Sequence, residues 1–283
     1  MELSGIVQSF ENKIILVTGS TGFLSKLFVE KVLRVQPNVK HLFLLSRATG
    51  DASSPTQRLN KDVIGKKLFS VLRKKHGLGF ESFISEKVTP IFGDVSLENL
   101  GIKDFGLEEK MHKEINFVVN FAATTNFHDR YDVALAVNTM GAKHVLNFAE
   151  KCENLEMFLH VSTAFVCNGE SSGVVLEKPL SQTLKESAKF FDIIEEENKL
   201  VQQRLNELKA EQISMKQETV AMKELGVERA KMYGWPNTYA FTKALGEITI
   251  GQHLERNFPI VIIRPTAVTS TYMEPFPGWI EGF

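Results

Sequence analysis

Tyr239 and Lys243 stand four apart in the run Asn237-Thr238-Tyr239-Ala240-Phe241-Thr242-Lys243. On a helix that spacing puts both side chains on one face. An ammonium beside a phenol stabilises the phenolate and lowers its pKa toward working pH. Such a tyrosine can give its proton to a carbonyl oxygen while hydride arrives at the carbon. Lys243 can also hold a ribose. The pair is common by chance, and its weight comes from what precedes it. Upstream lies His160-Val161-Ser162-Thr163-Ala164-Phe165. A hydroxyl there would hydrogen-bond and polarise a substrate carbonyl, with Thr163 the first candidate and Ser162 the second. The competing expectation is that both hydroxyls cap local backbone. Arg264 and Pro265 follow the last apolar run. They would lie near the hydride-carrying ring, unless Arg264 serves as a structural ion-pair partner.

The run that begins at Lys13 supplies the second half of the chemistry. Lys13-Ile14-Ile15-Leu16-Val17-Thr18 is rich in β-branched residues and ends at Gly19-Ser20-Thr21-Gly22-Phe23-Leu24-Ser25. Gly19 lets the chain turn sharply, and Gly22 lets backbone approach a pyrophosphate. The following helix aims its N-terminal N–H groups and positive dipole end at the phosphates. Thr18, Ser20 and Thr21 can add hydroxyl donors, and Phe23 and Leu24 open the helix. Ser25 stands where a third glycine is usual and is small enough for close packing. The pattern therefore predicts a nicotinamide dinucleotide. An acidic residue after the second strand would bond the ribose 2′-hydroxyl of NAD; Arg47 there suits the 2′-phosphate of NADP. Asp94 and Val95 fall where an adenine edge would lie, and Ala122 falls where backbone would approach a cofactor ribose. No metal is expected.

These residues need a scaffold, and the apolar pattern outlines one. Short runs at Lys13–Thr18, His41–Leu45, Val88–Phe92, Phe117–Phe121, Met157–Val161 and Pro259–Arg264 alternate with helical stretches, notably Phe23–Leu33, Val133–Lys151 and Thr238–Glu255. Apolar strands separated by helices imply an α/β fold of Rossmann type. Its parallel sheet would be doubly wound, buried on both faces by helices, with strand order 3-2-1-4-5-6. Residues 181–229 break the rhythm. They are highly charged but carry Ile194, Val201, Leu205 and Leu208 at helical spacing. They predict a helical insertion, one helix or a pair, packed on the core or serving as a lid or docking face. The Gly50–Thr56 stretch predicts an exposed loop.

The composition of the 283-residue chain is compatible with this outline and excludes other classes. It is 43% hydrophobic with a net charge of −1, which supports a sizeable core and gives no basic excess for nucleic acid. Two cysteines make no disulfide framework and fit a reducing compartment. Cys167 could accept an acyl group, though a free cysteine is more often a small buried hydrophobe. No signal or transit character marks the N-terminus and no run approaches a membrane span. A cytoplasmic protein, or one peripheral to the endoplasmic reticulum, is expected.

Several blocks together resemble the extended short-chain dehydrogenase/reductases, and within them the plant-type alcohol-forming fatty acyl-CoA reductases. They are VTGSTGFLSKLFVEKVLRVQPNVKHLFLLSRA, INFVVNFAATTNFHDRYDVALAVNTMGAKHVLNFAEKC, LHVSTAFVCN, GWPNTYAFTKALGE and VIIRPTAVTSTYMEPFPGWIEG. The resemblance covers the chain from end to end. It implies NADPH-dependent reduction of a fatty acyl-CoA to a primary alcohol through an aldehyde, by two hydride transfers. By motif, Tyr239 becomes the proton donor with Lys243 its partner, Gly19, Gly22, Phe23 and Leu24 belong to the cofactor turn, and Thr163 matches the hydroxyl position. It also implies one reductase domain over residues 1–283, with the family's helical C-terminal domain expected to be absent. Two alternatives stay open. A shortened module could bind NADPH without turnover and pair with a full-length reductase. Another enzyme of this fold, such as a nucleotide-sugar epimerase or steroid dehydrogenase, would hold NAD tightly. Peripheral membrane contact and homo- or hetero-oligomerisation are not decided by the sequence.

Overall fold

The computed structural model describes residues 3–48, 54–167, 180, 189–251 and 257–281. Its centre is a six-stranded parallel sheet: β1 (Ile14–Thr18), β2 (His41–Ser46), β3 (Val88–Phe92), β4 (Phe117–Asn120), β5 (Met157–Val161) and β6 (Ile260–Ile263). The spatial order is β3-β2-β1-β4-β5-β6, as the alternation predicts. The order reverses between β1 and β4, where Thr18 pairs with Asn120, and that reversal opens the crevice used by this architecture.

Side chains alternate across the pleat. Ile15 and Val17 face one layer with Val29 and Leu33 of the Phe23–Val35 helix. Ile14 and Leu16 face the other, with Val145, Leu146 and Phe148 of the Gly141–Glu150 helix. All five β1 residues are buried, so this strand reads as an uninterrupted apolar run. The expectation of burial on both faces fails at the edge. In β6 three residues are half-buried and Ile263 is exposed, because β6 pairs only with β5 among the described residues.

Two local expectations are corrected. Ser54 caps a Pro55–Leu59 helix by accepting from the Gln57 N–H, so the end of the expected Gly50–Thr56 loop is helical; residues 49–53 lie outside the described residues. Pro55 sits at the first helical positions, where its missing N–H costs nothing. Further helices at Ser70–His76 and Phe80–Lys87 fill the β2–β3 connection. The helix expected at Val133–Lys151 starts at Tyr131 and widens into a π turn over Leu135–Met140. Facing that turn, Gly246 lets the Thr238–Gly251 helix come close: a Cβ there would lie 2.2 Å from the Asn138 carbonyl oxygen. The end of the expected Thr238–Glu255 helix, 252–256, lies outside the described residues.

The charged segment is a helical pair, Lys189–Ala210 and Met215–Met232, with a Ser214–Gln217 capping box at the turn; residues 181–188 lie outside the described residues. Val201 and Leu208 are buried. The pair is fastened by charge as well as by apolar packing. Fully buried Glu197 accepts from the Tyr131 hydroxyl at 2.7 Å and from Arg229 Nε at 3.0 Å. Among the described residues no helix is long and apolar enough to cross a membrane.

After β6 the chain returns across the sheet and docks on the Phe23–Val35 helix. Trp279 stacks on Phe23 with ring centroids 4.9 Å apart and planes 3° from parallel. Glu281 pairs with Lys26, and Glu274 with Lys31 and Arg34. Trp279→Ala should therefore cost about 3 kcal/mol of stability. Thermal unfolding checks this, and a melting temperature equal to the parent's would mean that the strap contributes nothing.

Candidate active site

The C-terminal ends of β1, β2 and β4 and the segment after β3 enclose a cleft of about 670 Å³. Its lining brings together Gly19, Thr21, Gly22, Arg47, Asp94, Val95 and Ala122, seven of the residues expected to hold a cofactor. Gly19 adopts φ +63°, and a Cβ there would lie 2.8 Å from both N and Cα of Ala122. The turn and the β4 end are thus pressed together as only glycine permits. Gly22 begins the helix with no side-chain cap and no acid in the first turn, so the first N–H groups and the positive dipole end face the cleft. That is the donor set a pyrophosphate needs. Ser25 does more than fit. Its hydroxyl lies 2.6 Å from the Gly19 carbonyl and 2.9 Å from that of Gly22, tying the turn to the helix.

Other expected cofactor residues are placed differently. Thr18 is fully buried and donates to Asn120 Oδ1 at 2.6 Å. The Ser20 hydroxyl meets the Leu45 carbonyl at 3.1 Å. Both hydroxyls are therefore taken by protein, and Thr21 is the one left on the cleft wall. Phe23 points its ring at Trp279, and Phe23 and Leu24 are absent from the cleft lining. Asp94 accepts from Ser96 N and Oγ at 2.9 and 2.7 Å, which shapes the turn after β3. The Pro265 carbonyl accepts from Ala164 N at 2.9 Å, which pins the β5 end.

The second cluster lies at the β5 end against the Thr238–Gly251 helix. Tyr239, Lys243 and Thr163 are all buried there. Thr163 accepts from Phe165 N at 3.3 Å; it caps backbone and faces the Tyr239 phenol at once. Ser162 instead donates to Glu247 at 2.7 Å. Arg264 binds the same carboxylate, Nε at 3.0 Å, and so takes the ion-pair role. Cys167 is half-buried, its Sγ 3.6 Å from Arg264 Nη1.

The electrostatics depart from the simple pair. Burial pushes the Tyr239 pKa up, only partly offset by Thr163. Burial also pulls Lys243 down to about 8. Lys243 Nζ turns to the sheet, donating to the Val161 carbonyl at 2.8 Å with His160 Nε2 at 3.5 Å. The ammonium is thus satisfied by β5, and the expected depression of the tyrosine is not present in this arrangement.

Sequence reasoning missed four participants. Arg58, ion-paired with Asp62, joins Arg47 at the cleft; it comes from the Pro55–Leu59 helix, just past the expected loop. Phe127 and Phe165 stand half-exposed beside the phenol, with Phe127 and Tyr239 ring centroids 5.5 Å apart. His160 is buried beneath Lys243, and its place in an apolar strand gave no signal of that partner.

Comparison with known proteins agrees with this geometry. Reductase domains share the fold: the terminal R domain from the myxalamid PKS-NRPS biosynthetic pathway superposes with TM-score 0.59 at 19% identity, over 92% of this chain and 50% of that one. The R domain of a non-ribosomal peptide synthetase from Mycobacterium tuberculosis gives 0.60 at 18%, over 96% and 54%. In sequence, a probable fatty acyl-CoA reductase 5 of Arabidopsis thaliana is 54% identical over 100% of this chain and 56% of its own length. An alcohol-forming fatty acyl-CoA reductase of Simmondsia chinensis is 52% identical over 99% and 56%. The chain thus spans about half the length of the curated relatives it matches. An NAD-binding family model described as male sterility protein matches residues 17–283. A nicotinamide dinucleotide is accordingly the cofactor class of the chain, which belongs to the NAD-binding male sterility protein family.

Proposed function

We propose that this chain is the NADPH-binding, hydride-transferring part of an alcohol-forming fatty acyl-CoA reductase. The observation that carries the reading is the buried Tyr239 phenol facing buried Thr163 at the sheet end that also forms the dinucleotide cleft. The bound cofactor supplies hydride. Thr163 and Tyr239 orient the thioester carbonyl by hydrogen bonds to its oxygen. Tyr239 gives that oxygen its proton, and its raised pKa keeps the phenol protonated until needed. As the CoA thiolate leaves, the hydroxyl proton returns to the Tyr239 phenolate and an aldehyde remains; a second hydride, with the proton of the restored phenol, then takes it to the alcohol. Phe127 and Phe165 offer apolar rings beside the phenol for the start of an acyl chain.

Arg47 and Arg58 favour NADPH, since two guanidinium groups at the β2 end match a 2′-phosphate. Arg47→Glu should weaken NADPH binding at least about tenfold while NADH changes little. Fluorescence titration with both cofactors checks this, and equal losses for the two would remove Arg47 from phosphate recognition.

A module that binds NADPH without turnover and pairs with a full-length reductase is the second reading. It is favoured by the exposed apolar side chains Ile263, Val268, Tyr272 and Met273 at and beyond the β6 edge. Incubation with NADPH and a long-chain acyl-CoA, with lipid products identified by mass spectrometry, separates the two. Fatty alcohol or aldehyde supports the first. NADPH binding without product supports the second.

A further inference from the structure

A chain of buried hydrogen bonds runs from the β1 end to Lys243 and takes no part in the reaction described above. It crosses three strands. Thr18 Oγ1 lies 2.6 Å from Asn120 Oδ1, Asn120 Nδ2 lies 3.1 Å from His160 Nδ1, and His160 Nε2 lies 3.5 Å from Lys243 Nζ. Thr18, Asn120, His160 and Lys243 are each no more than 1% exposed.

The directions of these bonds are fixed from one end. The Ala122 backbone N–H can only donate, and it points at Asn120 Oδ1 at 3.2 Å. Turning the amide over would set two donors against each other. Oδ1 therefore accepts from Ala122 and Thr18, and Nδ2 donates to His160 Nδ1. A buried imidazole is neutral here: burial and the neighbouring lysine hold its pKa well below the usual value. A neutral ring that accepts at Nδ1 carries its proton on Nε2, and that N–H points at Lys243. An ammonium at Lys243 meets another donor there. A neutral amine accepts.

We propose that His160 is a positioning residue that sets the charge state of Lys243, its Nε2–H favouring the neutral amine. The groups facing Lys243 are few. His160 and the Val161 carbonyl come from β5, with the carbonyl favouring the ammonium. On its own helix stand Tyr239 one turn before and Glu247 one turn after, the latter engaged by Ser162 and Arg264. His160 thus opposes the two groups that favour charge. The consequence for catalysis rests on the reductase reading; the network itself does not.

Nuclear magnetic resonance tests both ends on the 283-residue chain. In protein labelled with 15N-histidine, His160 should be neutral with its proton on Nε2 from pH 6 to 9. In protein labelled at the lysine ε-carbon, with Lys243→Arg for assignment, the Lys243 midpoint should rise by about one unit in His160→Phe. Asn120→Asp provides a second variant, because a carboxylate only accepts and should move the His160 proton to Nδ1. A proton already on Nδ1 in the parent would overturn the proposal, as would a Lys243 midpoint that stays put in His160→Phe. If that variant does not fold, the parent tautomer and its reversal in Asn120→Asp decide. A merely structural histidine would move neither readout. Absence of acyl-CoA turnover would count against the reductase reading and leave these resonances unchanged.

Discussion

Gly19→Ala should lower NADPH affinity at least about a hundredfold and destabilise the fold by several kcal/mol. The residue sits at φ +63°, where a side chain strains the backbone, and the new Cβ would meet the Ala122 backbone at 2.8 Å. Backbone cannot swing aside as a side-chain end can. Ala122 also donates its N–H into the Thr18–Asn120 pair, so pushing it away disturbs the cleft and the network behind it together. Gly22→Ala is a graded control, because its Cβ would lie 3.2 Å from the Gly19 carbonyl at ordinary φ. Cofactor titration and thermal unfolding of both variants check this. Parent-like affinity in Gly19→Ala would mean that the turn does not hold the dinucleotide.

Lys243→Met should change how stability responds to alkali. The folded-state pKa of Lys243 is pulled down to about 8 by burial, from 10.5. At pH 7 the group is protonated in both states, and the fold carries the whole penalty of a buried charge. As pH rises from about 8 to 10.5, the unfolded chain binds more protons than the folded one, so the lysine protein gains stability. Above 10.5 the penalty is gone. The methionine protein has no such group. Its stability relative to the parent should therefore fall by about 3 kcal/mol between pH 7 and pH 10.5. The lost bond to the Val161 carbonyl adds a constant offset that does not alter this slope. Urea denaturation of both proteins at the two pH values measures it, and a difference independent of pH would contradict the burial of the amine.

The sheet was legible because it is built from uniformly apolar strands, whose order follows from alternation with helices. The glycine turn was legible because its chemistry is backbone chemistry: Gly19 must be glycine wherever strand ends close up. What stayed hidden depends on contacts between distant segments. Thr18 looks like a phosphate donor until β4 brings Asn120 beside it. His160 occupies an ordinary strand position, and only the packing of the Thr238–Gly251 helix on β5 sets it under Lys243. The Tyr239–Lys243 spacing specifies one face of a helix, yet spacing does not tell which way a long amine turns. The β2–β3 connection misled for a local reason. Gly50, Ser53, Ser54 and Pro55 have turn composition, while Ser54 and Pro55 also make a helix start.

The central claim, that Tyr239 protonates the carbonyl oxygen during hydride transfer from NADPH, is tested most directly by label tracing. Wild-type protein and Tyr239→Phe would be given NADPH deuterated at the transferring position together with a long-chain acyl-CoA. The account predicts deuterium at carbon 1 of the alcohol from wild type, and product reduced at least about a thousandfold in Tyr239→Phe with NADPH binding unchanged. Undiminished deuterated product from the phenylalanine variant would contradict it.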